Sequence, residues 1–598
     1  FKIRMKRITL AWALTLCSFI TFIACSSPDV GERSVSIIPA PAQMTVGEGT
    51  FTIHPGIEIG YADESLKGMG ELLSNEIEKL SGIKLASASD KESNCIIFLE
   101  LTDPKEFADL PKAYGLSPKD SVPVDESYSL SIQKRNIYIK ATTLEGIYRG
   151  ITTLKQIVGG NLQSGGEKIY LPLLEVKDSP RFAWRGLSFD VSRCFFDPEE
   201  VKQVIDMIAL YKMNVLHMHL SDNQGWRIEI KKYPELAEIG GQLPNNGRKG
   251  GYYTQEEFKD LVNYAKERFI TIIPEVDIPG HTAAVFAAYP DFKNAVKFKT
   301  KVNIPGQAFN ALDVDDPKAM RFTEDVIAEL AALAPGNYIH IGGDEARKVA
   351  WATCPKCQAL IERERLDGIQ GLQPYMIARI QDFLASKGRV MVGWDEILHN
   401  ELHSETLVMS YRGQKGAIEA ANRGNYAVMT PGEVLYFDWY QADPHTQPRA
   451  MGGFSPIRKM YGFHPVPDTP AKAADNESII RGEFVSPDSV EYIYDGGKEH
   501  VIGVQGCTWT EFIETEKHLE YMIFPRLLAV SELAWTPRER REWNDFRRRI
   551  NVHVSLLHAR GINAFPLSDD VVITAQMLSE GKKARVTLDT EKYPAEVR

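Results

Sequence analysis

Eight short apolar segments alternate with helical stretches between residues 180 and about 540 of this 598-residue chain. Short apolar runs of this kind are typical of buried strands, and their regular alternation with helices is typical of parallel βα units. Eight such units are what a closed barrel requires. We therefore predict an α/β fold built on a (β/α)8 TIM barrel, with the strands GLSFDV, NVLHMHL, FITIIPEV, YIHIGG, RVMVGW, TLVMSY, YAVMT and VIGVQG.

The segment that precedes these units has a different pattern. Between residues 35 and 177, short alternating strands such as SYSLSI and NIYIKA are mixed with two amphipathic helical stretches, at 67–80 and 144–158. This mixture predicts a small α+β domain in front of the barrel. The predicted boundaries are 35–178 for that domain, 179–560 for the barrel, and 561–598 for the start of a C-terminal β segment, either complete or truncated.

The first 24 residues have the pattern of an export signal. Lys6 and Arg7 precede an apolar run that ends at Cys25 and gives way to a polar linker at 25–34. The run is shorter than a comfortable membrane span, which favours a cleaved signal over a retained anchor. Residues 22–25 are similar to the lipobox of bacterial lipoproteins. We therefore expect lipidation of Cys25, a lipid anchor, and a location in the bacterial cell envelope, in the periplasm or at the outer membrane.

The composition limits the kind of ligand that this protein binds. Hydrophobic residues make up 43% of the chain and charged residues 25%, which is ordinary for a globular protein and excludes a largely disordered or fibrous chain. The net charge is -11 and the body of the chain has no basic run, so we expect no binding of nucleic acid. A neutral ligand fits this balance better, and we expect neither a cofactor nor a metal.

The cysteines do not form a disulfide framework. Cys17 and Cys25 belong to the signal region, and the five that remain are an odd set. Cys354 and Cys357, in the sequence CPKC, have the spacing of half a zinc site, but no second CxxC or HxxxH accompanies them. In an exported protein we expect a local disulfide between them.

Polar and aromatic residues recur where the predicted barrel strands end. Active sites of TIM barrels lie at the carboxyl ends of the strands, so the recurrence predicts a site on that face. Arg185 differs from the others because it lies at the start of the first strand. The residues at the strand ends are Asp190 and Arg193, His219 and Asp222, Glu275 and His281, Asp344 and Glu345, Trp394 and Asp395, Tyr411, Trp509 and Glu511.

Two adjacent acids, Asp344 and Glu345, end the stretch YIHIGGDEA. Neighbouring side chains at a strand end diverge, so the two carboxyl groups can contact different parts of one bound molecule. Ordinary retaining glycosidases instead place two carboxylates about 5 Å apart on opposite faces of a sugar. A structural alternative is that Asp344 caps the following helix while Glu345 lies in its first turn. The two preceding glycines favour a ligand site, because they let a ligand approach the backbone.

A metal-dependent hydrolase is the rival interpretation. His217 and His219 are two residues apart and face the same side of a strand, as metal-binding pairs do at barrel strand ends, and His281, His340 and Asp344 could complete such a site. Two observations count against it: His340 lies inside its strand, and no bridging lysine stands at a strand end. A third possibility is a lipid-anchored sugar-binding protein without catalysis.

Aromatic residues near the strand ends and loops form a plausible box for a sugar ring. C–H groups of a sugar stack on aromatic faces while acids bind its hydroxyls. The acids available for this are Asp438 and Glu511, and the aromatic residues are Trp394, Tyr411, Tyr436, Trp439 and Trp509.

These motifs together resemble glycoside hydrolase family 20, the β-N-acetylhexosaminidases. The resemblance extends from residue 180 to about 540, and the segment that ends in TLEGIYRGITTLKQI is similar to the N-terminal domain of that family. The motifs that carry it are WRGLSFDVSR, KMNVLHMHLSDNQGWRIEI, IPEVDIPGH, HIGGDEA, GWDE and WTEF.

The resemblance implies a mechanism in which the substrate's own 2-acetamido oxygen is the nucleophile. Glu345 is then implied as general acid and base, and Asp344 as the group that orients the acetamide and stabilises the oxazolinium intermediate. Asp222 and His281 are implied to form a relay that tunes Glu345.

The same resemblance implies a small closed pocket for one terminal sugar, and therefore exo action on β-linked N-acetylglucosamine or N-acetylgalactosamine. In this pocket Arg185 is implied to hold the 3- and 4-hydroxyls. The other implied contacts are Trp394 and Trp509 as walls, Tyr436 on the acetamide carbonyl, and Asp438 with Glu511 on the outer hydroxyls.

Three positions depart from the family pattern. The family often has Trp at the position of Tyr411, Asp at that of Asn223 and His at that of Cys194. Tyr411 is expected to thin the pocket wall, and Asn223 is expected to lie beside the relay without interrupting it.

Overall fold

The computed structural model describes residues 35–87, 96–111, 113, 125–162, 167–242, 250–292, 311–314, 316–399, 401–569, 571–579 and 583–592. The predicted signal at 1–24, the linker at 25–34 and Cys25 lie outside these residues. Within the described residues, no helix has both the length and the apolar character needed to cross a membrane.

Eight parallel strands form a closed barrel, which confirms the predicted fold class. Each strand pairs with the next in chain order, and the last pairs with the first. Most of their side chains are buried, because helices cover the outside while the interior is filled by side chains. The strands are Trp184–Asp190, Val215–His219, Thr271–Glu275, Tyr338–His340, Val390–Trp394, Leu407–Ser410, Tyr426–Met429 and Val501–Thr508.

Capping residues fix where the outer helices begin. Asp197 and Thr254 each form a capping box with a glutamate three residues later, so the first backbone N–H groups of these helices have acceptors. Asp316 and Thr515 accept N–H groups at two further helix starts. The main outer helices are Pro198–Leu210, Gln255–Lys266, Pro317–Leu333, Pro355–Glu364, Leu372–Ser386, Lys415–Arg423, Pro470–Arg481, Glu516–Ile523, Arg526–Trp535 and Trp543–Ala559.

An α+β domain precedes the barrel, as predicted. The strands of its sheet are β1 (Gln43–Ile53), β2 (Glu58–Tyr61), β3 (Ala86–Ser87), β4 (Ile96–Leu101), β5 (Tyr128–Ile132), β6 (Asn136–Ala141) and β7 (Ile169–Asp178). Their order in the sheet is β1-β7-β5-β6-β4-β2-β3. The helices Lys67–Ser81 and Leu144–Gly160 contact this sheet.

A buried charge cluster joins this domain to the barrel, and it contains Arg185. The Arg185 guanidinium lies 2.5 Å from Glu126 of the α+β domain, and it donates to the carbonyls of Phe182 and Lys212 at 2.8 Å each. Glu126 also binds Arg149 at 2.7 Å. Arg185 opens its strand, so its side chain lies at the amino-terminal end of the barrel. The implied role of Arg185 on the sugar hydroxyls is therefore wrong.

The chain continues past the barrel into a β-hairpin. Strands Val572–Ser579 and Lys583–Asp589 pair in antiparallel fashion. These residues fall in the segment predicted to begin a C-terminal β region.

Candidate active site

The carboxyl ends of the barrel strands bring most of the predicted site residues together. The loops after the second, third and fourth strands carry Asp222, His281, and the pair Asp344 and Glu345. His281 contacts all three of these acids, at 3.1 Å from Asp222, 3.7 Å from Asp344 and 3.5 Å from Glu345. The predicted relay and the predicted acids therefore form one cluster.

Asp344 and Glu345 have different surroundings although they are adjacent in sequence. The side chain of Asp344 is 15% exposed and that of Glu345 is 62% exposed. The backbone of Glu345 has a φ of +45°, and its N–H donates to Glu396 at 3.0 Å. Glu345 thus has a left-handed backbone conformation that residues other than glycine rarely adopt.

The helix-capping alternative for Asp344 is wrong. The short helix that follows is Val349–Ala352, its N-cap is Lys348, and no side chain caps it. Asp344 and Glu345 lie in an irregular segment before this helix. Their positions therefore serve the site and not a helix end.

Glycines make room for a further acid, Asp277, which sequence reasoning did not single out. Gly342 has a φ of +67°, and a Cβ atom there would lie 1.9 Å from the Asp277 carboxylate. Asp277 also accepts the N–H of Gly343 at 3.2 Å. The motif IPEVDIPGH contained Asp277, but only the fold reveals that it packs beneath Asp344.

Asp277 and Asp344 differ in their protonation. Burial, together with the charge of Asp344, raises the pKa of Asp277 well above its usual range. Burial raises the pKa of Asp344 to about 6, although His281 opposes the shift. Asp277 is thus the group that keeps a proton, and Asp344 is the carboxylate beside it.

His281 is held as an imidazolium beside Glu345. Burial alone would lower the pKa of His281, but the charge of Asp222 and its hydrogen bond to His281 raise that pKa well above its ordinary value. The close approach of His281 is the main cause that lowers the pKa of Glu345. Asn223 lies beside this pair, with its amide nitrogen 3.5 Å from His281 Nδ1 and its oxygen accepting the N–H of Ala283.

Aromatic rings surround the acids. The ring centroid of Trp394 lies 5.7 Å from that of Tyr411, in a nearly edge-on arrangement, and 5.8 Å from that of Trp509. The ring centroids of Tyr436 and Trp509 are 6.0 Å apart. The Tyr411 hydroxyl donates to Glu396 at 2.9 Å, the same oxygen that accepts the Glu345 N–H. These rings form the predicted box.

Arg193, and not Arg185, is the arginine of the first βα unit that lies at the carboxyl face of the barrel. It follows the end of the first strand, where its guanidinium lies 2.8 Å from Asp222 and 3.6 Å from Glu511 and is centred 5.1 Å over the ring of Trp509. Burial, reinforced by the charge of Glu511, raises the pKa of Asp438 well above its usual range. Arg193, Glu511 and Asp438 thus form a polar edge beside the aromatic box.

Comparison with known proteins identifies the family. The profile described as "Glycosyl hydrolase family 20, catalytic domain" matches residues 182–538, and that described as "Glycosyl hydrolase family 20, domain 2" matches residues 34–179. The chain belongs to glycosyl hydrolase family 20. It is therefore a glycoside hydrolase of the β-N-acetylhexosaminidase type.

Relatives of known activity cover most of this family 20 chain. A β-hexosaminidase of Porphyromonas gingivalis is 34% identical over 98% of this chain and 72% of its own length. A β-N-acetylhexosaminidase of Cellulomonas fimi is 30% identical over 87% of this chain and 93% of its own.

Solved family 20 structures have the same architecture. An exo β-N-acetylglucosaminidase of Vibrio harveyi in complex with N-acetylglucosamine has a TM-score of 0.75 and 28% identity, covering 89% of this chain and 78% of its own. A β-N-acetylhexosaminidase of Streptomyces coelicolor A3(2) has a TM-score of 0.73 and 28% identity, covering 90% and 98%.

Two further sequence expectations have structural outcomes. Cys194 is fully buried and its N–H donates to Thr510 at 3.0 Å, so this departure from the family pattern lies in the packing around the first strand. Cys354 and Cys357 are buried at the start of the helix Pro355–Glu364 and no disulfide joins them, so the expected local disulfide is wrong.

Proposed function

We propose that this family 20 enzyme removes terminal, non-reducing β-linked N-acetylglucosamine or N-acetylgalactosamine from glycans, with retention of configuration. The nucleophile in this proposal is the carbonyl oxygen of the substrate's own 2-acetamido group, which closes onto the anomeric carbon to form an oxazolinium ion. The named activities of the relatives support the substrate class. The geometry of two adjacent acids supports the mechanism.

The observation that carries the mechanism is the difference between Asp344 and Glu345. A two-carboxylate mechanism needs both acids across one anomeric carbon. Here one acid is buried against Asp277, and its neighbour is exposed and contacts His281. The pair suits a division of labour in which Glu345 moves the proton and Asp344 serves the acetamide.

Glu345 acts as general acid and then as general base. Its exposed carboxyl group reaches the glycosidic oxygen, while the imidazolium of His281 contacts it from behind. His281 is in turn held by Asp222 at 3.1 Å. The relay fixes the position of the acid and adjusts its proton affinity.

Asp344 orients the acetamide group and balances its developing charge. One of its oxygens is buried without a hydrogen-bond partner, so it is available to accept the acetamide N–H. As the oxazolinium forms, positive charge grows on that nitrogen, and a fixed carboxylate stabilises it. Trp394, Trp509 and Tyr436 enclose the group.

The sugar hydroxyls meet the polar edge of the site. Arg193 takes the role on the 3- and 4-hydroxyls in place of Arg185, because it alone of the two lies at the carboxyl face. Asp438 and Glu511 bind the outer hydroxyls. A pocket that binds every hydroxyl of one sugar leaves none of them to carry a further sugar. It therefore accepts only the non-reducing end of a chain, which supports exo action.

Replacement of the two acids tests this function. We expect Glu345→Gln and Asp344→Asn each to lower kcat on a chromogenic N-acetyl-β-glucosaminide by about 100-fold or more, since each removes a general acid or an oriented charge. Glu362→Gln, on an exposed helix surface, is the matched control and should keep wild-type kcat. Wild-type turnover in either site variant would contradict the assigned roles.

We also propose that Cys25 carries a lipid that anchors the enzyme in the cell envelope. The charged start, the apolar run and the lipobox-like sequence before Cys25 support this proposal. Expression of the full chain in a bacterial host with lipoprotein processing should place it in the detergent-rich phase after phase separation, and Cys25→Ser should move it to the aqueous phase. Equal partition of the two forms would contradict the anchor.

A further inference from the structure

Glu275 is a buried carboxylate beneath the site to which the mechanism above assigns no role. It ends the third barrel strand with no exposed surface. A buried charge is costly unless it is paired and hydrogen-bonded, so its partners explain why it is there. Four ring nitrogens surround it: His219 Nδ1 at 2.6 Å, His217 Nε2 at 3.0 Å, Trp394 Nε1 at 3.0 Å and His340 Nδ1 at 3.1 Å.

The two oxygens of Glu275 serve different neighbours. Oε2 faces His219, and Oε1 accepts the indole N–H of Trp394. The first contact leads toward the relay and the second toward the wall of the pocket. One buried side chain therefore supports both parts of the site.

His219 connects Glu275 to the relay. Its Nδ1 faces Glu275 at 2.6 Å and its Nε2 faces Asp222 at 2.9 Å, so both ring nitrogens point at carboxylates. A ring in this position is doubly protonated, because a nitrogen without a proton would repel the oxygen opposite it. Burial favours the neutral form of each of these groups. The neighbouring opposite charges nevertheless raise the pKa of His219 and lower the pKa values of Glu275 and Asp222, in agreement with this geometry.

The groups then alternate in charge up to the reacting acid. The second oxygen of Asp222 lies 3.1 Å from His281 Nδ1, and His281 Nε2 lies 3.5 Å from Glu345. Carboxylate and imidazole thus alternate in one chain of five groups, which we call the buried chain: Glu275, His219, Asp222, His281 and Glu345.

We propose that Glu275 is a positioning residue for the general acid: by holding His219 between two carboxylates it fixes Asp222 and His281 against Glu345. The inference rests on the proposed function, because it concerns protonation of the leaving group by Glu345. Glu275 itself contacts no substrate. Without it, His219 loses one of its two anionic partners, and Asp222, which Arg193 still contacts at 2.8 Å, loses the ordered imidazole on its other side.

The dependence of rate on the leaving group tests this role. 4-Methylumbelliferone is the poorer leaving group of the two and departs faster with a proton from the acid, whereas 2,4-dinitrophenolate departs without one. We expect Glu275→Gln to lower kcat/KM on the methylumbelliferyl N-acetyl-β-glucosaminide by about 10-fold or more, a fraction of what general acid catalysis supplies. On the dinitrophenyl substrate the loss should be clearly smaller. Any displacement of Trp394 affects both substrates alike, so the ratio of the two losses isolates the relay.

His217→Gln is the matched control. His217 contacts the same carboxylate at 3.0 Å but points toward Gln505 at its other nitrogen and does not touch Asp222. Its replacement disturbs the same buried region and should leave the ratio of the two substrates at the wild-type value. If Glu275→Gln shifts the ratio no more than His217→Gln does, Glu275 is only structural and the inference is overturned.

Two further variants keep the test decisive. If Glu275→Gln does not fold, His219→Gln breaks the buried chain one link later and should shift the ratio in the same direction; an unchanged ratio would overturn the inference. Glu345→Gln must also shift the ratio strongly. If it does not, the proposed function fails, whereas a shift in Glu345→Gln without one in Glu275→Gln rejects the inference alone.

Discussion

At the scale of single residues, the site depends on which carboxyl groups are charged. Asp277 and Asp344 are buried neighbours, and two adjacent buried carboxylates do not both ionise readily. The structure assigns the proton to Asp277, because its pKa lies well above that of a normal carboxyl group. Asp344 is then free to carry the charge that the oxazolinium requires.

The pH dependence of the free enzyme follows from Asp344. Its pKa is raised to about 6, mainly by burial, and the carboxylate is the active form. The carboxylate form of Asp344 is therefore present above this pKa and is lost as the pH falls through it. We expect the acid limb of kcat/KM for the 2,4-dinitrophenyl N-acetyl-β-glucosaminide, whose leaving group needs no proton from Glu345, to have its midpoint near pH 6. Asp277→Asn keeps a neutral donor and should leave the midpoint in place; a midpoint near the normal pKa of an aspartate would contradict this assignment.

A second prediction for a single residue concerns the effect of Arg193 on kcat/KM. Its guanidinium contacts Asp222, Glu511 and the face of Trp509 at the carboxyl end of the barrel. Hydrogen bonds to charged groups contribute about 1.5–3 kcal/mol each, so we expect Arg193→Met to lower kcat/KM by about 10-fold or more. Steady-state kinetics measure this, and a variant with unchanged kcat/KM would remove Arg193 from the sugar site.

At the scale of elements, the decisive feature is the turn after the fourth strand. The strand Tyr338–His340 is short, and the chain then takes three left-handed residues, at Gly342, Gly343 and Glu345. The first of these approaches Asp277 so closely that no side chain fits. The turn therefore sets where both acids point.

Gly342→Ala tests the turn. The new Cβ would lie 1.9 Å from the Asp277 carboxylate, so we expect displaced acids, a large loss of kcat and a lower midpoint of thermal unfolding. Gly388→Ala is the matched control: Gly388 also has a positive φ, +70°, but nothing lies within 4 Å of its added Cβ. The control should cost only the backbone strain, about 1 kcal/mol. Equal effects of both variants would show that the close approach to Asp277 does not matter.

The elements were predictable and some of the site was not. Strand positions follow from local apolar runs, so all eight barrel strands could be placed from sequence. Arg185 and Arg193 lie in one motif, WRGLSFDVSR, and only the strand between them decides which reaches the site. Because Arg185 lies at the start of the strand and Arg193 follows its end, the position of Arg185 already indicated that its side chain lies away from the site. The role of Asp277 depends on a contact with a distant turn, which no local pattern contains.

At the scale of the whole molecule, the α+β domain and the barrel share buried charges. Arg149 and Arg185 both bind Glu126, and at the same interface Lys212 of the barrel binds Asp178 at 3.0 Å. All of these side chains are nearly or fully buried. The barrel therefore depends on the preceding domain at the end opposite the active site.

Arg185→Met separates stability from catalysis. The change leaves Glu126 with one cationic partner and two buried carbonyls without a donor, so we expect a loss of about 3 kcal/mol or more in the free energy of unfolding. The folded enzyme should keep its kcat and KM, because Arg185 is far from the sugar. Arg135→Met, on an exposed turn of the α+β domain, should change neither. A changed kcat or KM in the folded Arg185→Met variant would show that Arg185 does act in the sugar site.

The proposed mechanism depends on attack by the substrate's acetamide oxygen, and a series of substrates tests this attack most directly. Fluorine on the N-acyl group withdraws electron density from that oxygen and weakens it as a nucleophile. We predict that kcat/KM for 4-nitrophenyl β-glucosaminides falls steeply and steadily from the N-acetyl to the mono-, di- and trifluoroacetyl substrate. A rate that does not depend on the fluorine content would contradict the account.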